Sequence, residues 1–122
     1  MKLATYMSAG EVALAGAIVG DRIYSLQPAG FESTLEVIRG GAAARASIEG
    51  YLKRAPAGAS KPLERVTLLA PIPVPGKLIC VGLNYRDHAA EAKMEIPAVP
   101  TIFSKFTNTV TGPLAPVILP KN

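Results

Sequence analysis

The sequence predicts an α+β fold in two parts: a small α+β domain over residues 1–70, then the beginning of a second domain over residues 71–122. Three observations carry this reading. Two apolar runs, residues 12–19 and 22–26, flank Gly20-Asp21, a pair suited to a tight hairpin. Residues 33–54 hold two helical segments, each with its own start or stop signal. Pro71, Pro73 and Pro75 then alternate up to Gly76, which forces extended, poorly paired backbone and marks a junction.

In chain order, Leu3, Thr5 and Tyr6 suggest a first strand, and residues 8–11 a turn before the hairpin. Ser33 and Glu36 form a capping box ahead of Leu35, Val37 and Ile38, and Gly40-Gly41 stops that short helix. Ala44, Ile48, Tyr51 and Leu52 fall on one face of a second helix, which Pro56 ends. Arg45 and Glu49 are an exposed pair on it. Residues 55–61 read as a polar loop and 66–69 as a strand. Residues 78–81, apolar and bounded by Gly76 and Gly82, read as a buried strand, with Cys80 a core residue rather than a nucleophile. Gly82-Leu83-Asn84 is a turn, Asn84 an N-cap, and Asp87 a first-turn carboxylate placed to answer free backbone N–H groups of a helix over about 85–93. A Pro-rich loop at 94–99, a strand at 101–106 and a last strand at 117–119 follow.

Composition narrows the function. With 49% hydrophobic and 18% charged residues the chain is globular, and 11 Gly and 11 Pro make it turn-rich. The net charge of +4 is scattered without a basic run, so no nucleic-acid partner is expected. The start is not a signal peptide, and residues 12–19 are too short, and broken by Gly16, to span a membrane. A cytoplasmic protein is expected. A single cysteine forms no internal disulfide.

The chemistry gathers in residues 77–91. His88 is the only histidine of the chain, and Asp87, His88 and Glu91 fall within five positions. Three apart on a helix, His88 and Glu91 share a face. A carboxylate bonded to one imidazole nitrogen fixes the tautomer and makes the other nitrogen a better base, and imidazoles exchange protons near neutral pH. The same spacing also fits a solvated helix face.

The stretch Val81-Gly82-Leu83-Asn84-Tyr85-Arg86-Asp87-His88-Ala89-Ala90-Glu91 resembles the signature of the fumarylacetoacetate hydrolase family. Its continuation through Pro97, Phe103-Ser104-Lys105, Gly112-Pro113 and Val117-Ile118-Leu119-Pro120 resembles that family too. The resemblance covers residues 62–122 closely and residues 1–61, as a small N-terminal domain, more loosely. It implies a mostly β catalytic domain from residue 71, truncated at the end of this sequence. It also implies a metal-dependent enzyme acting on small anionic oxo-acids by carbon–carbon bond hydrolysis, or by lyase, isomerase or decarboxylase chemistry. His88 and Glu91 would activate water or move protons; Tyr85, Arg86 and Lys105 would hold the substrate; the 94–99 loop would cover the site. Family members are commonly homodimers.

Such enzymes hold Mg²⁺ or Mn²⁺ with a Glu-x-Glu pair soon after the Ile-Leu-Pro strand and a later Asp. None of the nine acidic residues here follows Glu95. Some family members add an Asp ligand near the position of Asp87, which the resemblance makes a weak candidate, and one carboxylate holds Mg²⁺ poorly. The expectation is a truncated product or a fragment that alone binds no metal and is inactive. A second reading is a non-catalytic remnant or assembly subunit.

Overall fold

A computed structural model describes residues 1–8, 10 and 12–121. It is a mixed α+β structure that divides into two compact units, Met1–Pro73 with Thr111–Asn122, and Val74–Val110.

The first unit is built on β1 (Lys2–Met7), β2 (Leu14–Val19), β3 (Arg22–Ser25), β4 (Ser60–Pro62) and β5 (Thr67–Leu69), in the order β4-β3-β2-β1-β5. Every pairing is antiparallel. The expected hairpin forms, with Val19 opposite Arg22 and Gly20 left-handed at φ 61°, as a two-residue turn requires. The turn expected over residues 8–11 includes Ala9 and Glu11, which lie outside the described residues. β4 begins inside the stretch expected as a polar loop, because Ser-Lys-Pro carries no strand signal. It forms at the sheet edge, where a proline's missing N–H breaks no ladder. Arg22 clamps it, donating from Nε to Ser60 Oγ (2.6 Å) and from Nη2 to the Ser60 carbonyl (2.8 Å).

One face of the sheet carries α1 (Thr34–Arg54). Ser33 Oγ accepts from the Glu36 N–H (3.2 Å), while Glu36 Oε2 accepts from the Glu32 N–H (2.8 Å), so the return arm of the capping box lands one residue early. Gly41 breaks the helix at φ 55°, ψ −130°, a region that only glycine enters freely. Replacing Gly41 by Ala should therefore destabilise the first unit by about 1–3 kcal/mol. Urea unfolding checks this, and an unchanged midpoint would mean that the break does not need glycine.

The core follows from strand alternation. Ala15 and Ala17 of β2 meet Leu26 and the α1 residues Val37, Ala44 and Ile48, and their small side chains let the helix approach closely. The other face buries Ala4, Tyr6 and Ile23 beneath Leu63, Val66 and Leu68. The buried hydroxyls are satisfied: Thr5 Oγ1 donates to the Pro71 carbonyl (2.7 Å) and lies 2.9 Å from Thr34 Oγ1. Burial, then the neighbouring Tyr6 and Tyr24, push the Tyr51 phenol above its usual 10.0. The fold thus favours the protonated phenol. That contribution to stability is fully present below the unfolded value and is lost as pH rises through the folded one. Stability should fall in strong alkali, and less steeply in Tyr51→Phe, as denaturant titrations at rising pH would measure.

The second unit is an antiparallel ribbon of β6 (Leu78–Gly82) and β7 (Thr101–Lys105) with a short helix, α2 (Arg86–Glu91). Strand, turn and helix come in the expected order. The expected burial does not hold: Ile79 is 65% exposed, Val81 45% exposed and Cys80 only half-buried. A two-stranded ribbon has no covering layer, so β-branched apolar residues can set the strand without being buried. Among residues 74–110 only Ala89, 1% exposed, is buried. Residues 117–119 form no strand and are exposed, because a strand needs a neighbouring edge and among the described residues none pairs with them.

Candidate active site

The site is set by how β6 hands over to α2. The strand ends at Gly82, Leu83 turns in left-handed backbone (φ 49°), and Tyr85 rather than Asn84 is the N-cap. Tyr85 is extended (φ −122°, ψ 137°) and makes no side-chain cap. Asp87 supplies what the cap lacks: its Oδ1 accepts the His88 backbone N–H at 2.8 Å, the expected first-turn role. At the other end Lys93 is left-handed (φ 53°). There the Met94 N–H bonds the Ala89 carbonyl (2.9 Å) and the Lys93 N–H bonds that of Ala90 (3.1 Å), which closes the helix.

The helix brings Arg86, Asp87, His88 and Glu91 together, all exposed, with Tyr85 (68% exposed) at its entry. His88 and Glu91 stand one helical turn apart. Among the described residues no hydrogen bond or ion pair joins them. Lys105 is not in this group. It pairs with Leu78, while Gly82, next to the helix, pairs with Thr101 at the other end of the ribbon. Four residue steps along the strand separate the two ends, about 14 Å.

A groove of about 300 Å³ lies between residues 81–84 and 96–100. The side chains that line it are apolar except for the Asn84 amide, with polar backbone groups between them. The family resemblance implies a covering role for the 94–99 loop, whereas Leu83 as a wall residue has no sequence signal, since a left-handed leucine leaves no mark in the sequence.

Hard divalent cations need several oxygen ligands on one centre. Among the described residues no three His, Cys, Asp or Glu side chains are grouped so that they could hold a metal ion. Asp87 and Glu91 are the carboxylates of the helix, and one Asp87 oxygen is already committed to backbone. These residues do not fit an Mg²⁺ or Mn²⁺ site.

Residues 77–122 match the sequence profile of the fumarylacetoacetate (FAA) hydrolase C-terminal family. A fumarylacetoacetate hydrolase domain-containing protein 2 homolog of Dictyostelium discoideum is 54% identical over 59 residues, which are 48% of this chain and 19% of that protein. The mitochondrial oxaloacetate tautomerase Fahd2a of Rattus norvegicus is 51% identical over 59 residues, with the same coverage of 48% and 19%. The match thus spans about a fifth of the length of these curated relatives. Maleylpyruvate hydrolase from Sphingobium sp. SYK-6, solved in complex with manganese (II) ion and pyruvate, superposes with a TM-score of 0.73 at 26% identity, over 98% of this chain and 42% of that one. Over residues 77–122 the chain is similar to the fumarylacetoacetate hydrolase family.

Proposed function

We propose that residues 71–122 supply the proton-transfer part of a fumarylacetoacetate hydrolase-family site acting on small 2-oxo-acids, with keto–enol isomerisation as the reaction. One observation carries this reading: the family-matched segment presents His88 and Glu91 one turn apart on an exposed helix close in sequence to a groove. In tautomerisation a C–H bond beside a carbonyl breaks and an O–H bond forms. His88 takes the carbon-bound proton and delivers it to the oxygen, while Glu91 accepts the other ring N–H and fixes the tautomer. Arg86, planar and forked, holds a carboxylate of the substrate, and the Tyr85 hydroxyl adds a second contact. Lys105 contributes positive charge on the same ribbon, away from the helix. Residues 1–70 serve as the N-terminal domain.

The likeness to maleylpyruvate hydrolase supports a second chemistry on the same residues, with His88 activating water for attack on a carbonyl carbon. A hybrid in which residues 77–122 replace the matching stretch of a full-length relative discriminates the two. Oxaloacetate enol–keto conversion without carbon–carbon cleavage supports the first, and cleavage of an acylpyruvate supports the second. A hybrid that folds, binds manganese and does neither would sink both. A homodimer in the cytoplasm completes the reading. Light scattering tests the dimer, and cell fractionation tests the location against that of the named mitochondrial relative.

The 122-residue chain by itself should bind Mn²⁺ or Mg²⁺ weakly or not at all. Calorimetric titration checks this; tight one-to-one binding would show that the helix carboxylates suffice.

A further inference from the structure

Two residues that carry side chains take left-handed backbone at either end of α2, Leu83 at φ 49° and Lys93 at φ 53°. Glycine enters this region without steric penalty, and leucine does not. Lys93 has a local reason, because its torsion closes the helix end through the Met94 and Lys93 N–H bonds. Leu83 lies in the turn between β6 and the N-cap, and no side chain caps the helix there. What its torsion does is redirect the chain between Gly82, the last β6 residue, and Tyr85, the N-cap. The helix that follows has only six residues and swings with its entry angle.

We infer that Leu83 is a positioning residue. Its left-handed backbone sets the direction in which α2 leaves β6, and thereby where His88 and Glu91 are presented, while its half-buried side chain walls the groove. Glycine would meet the torsion and leave that wall bare; a β-branched residue would build the wall and resist the torsion. The catalytic part of this inference rests on the proposed role of His88; the geometric part does not.

The chain has one histidine, so a carbon–proton correlation spectrum of the 122-residue protein shows a single imidazole Cε1–Hε1 signal, that of His88. Leu83→Asn and Leu83→Gly admit the left-handed region, Leu83→Val penalises it, and Leu83→Pro forbids it. The Asn and Gly variants should keep the His88 signal and the slow exchange of the Ala89 amide, which bonds the Tyr85 carbonyl at 3.1 Å. The Val and Pro variants should shift the signal and lose that protection, while the Ile48 amide of the first unit reports an intact fold. A wild-type His88 signal in both Val and Pro variants overturns the inference. So does an Asn variant displaced as far as the Val variant, an outcome readable even where the Pro variant fails to fold. In the hybrid enzyme, Leu83→Val should lower kcat, with Leu83→Asn restoring it, and Leu83→Gly should raise KM. A His88→Asn hybrid at full rate would sink the catalytic reading alone and leave the spectral result standing.

Discussion

Replacing His88 by Asn in the hybrid enzyme should lower kcat by about 10²–10⁴-fold with KM little changed, the range for loss of a positioned general base. Asparagine keeps a polar side chain of similar reach and cannot cycle a proton. The helix should survive the change, since His88 is exposed and its backbone N–H, not its ring, makes the bond to Asp87. Manganese affinity of the hybrid should also survive, which separates loss of the base from loss of the metal. Glu91→Gln should cost less, because it weakens the ring's orientation and leaves the base in place. Steady-state kinetics with oxaloacetate enol as substrate decides this. A His88→Asn enzyme within a few-fold of wild type would show that proton transfer runs through another group, and the dyad assignment would fall.

Ile48→Ala should destabilise the first unit by about 2–5 kcal/mol, enough to unfold a marginal domain at working temperature. Ile48 is fully buried at the centre of the helix–sheet core, between α1 and the alanines of β2. Its loss removes apolar contact and leaves a cavity, and the small Ala15, Ala17 and Ala44 around it have no reach with which to fill the space. Ile38→Ala is the control. It deletes the same atoms from the same element at a position 53% exposed, and should cost well under half as much. Urea unfolding followed by circular dichroism measures both. Equal costs at the two positions would contradict the packing described here.

Much of the fold was legible because local rules and packing agree. Gly20-Asp21 gave the hairpin, Ser33 and Glu36 the helix start, and Gly40-Gly41 the break, since in each case short-range torsions and caps decide the outcome. β4 was not legible, because an edge strand is defined by the neighbour it pairs with and its own residues were polar. For residues 78–81 the periodicity gave the strand correctly but not its surroundings; burial depends on layers that the ribbon itself does not provide.

By itself the sequence determined the β2–β3 hairpin, the strand–turn–helix order of β6 and α2, and the presence of Tyr85, Arg86, Asp87, His88 and Glu91 in one unbroken stretch. Contiguity on a helix needs only spacing, so no long-range contact was required to group them. Tertiary structure alone decided that Lys105 stands at the far end of the ribbon, because strand register is fixed by pairing across the sheet. It alone decided that residues 117–119 form no strand and that Leu83 turns left-handed beside a groove. Each of these depends on which backbone lies next to which, and that information is carried by the folded chain and not by any short run of residues.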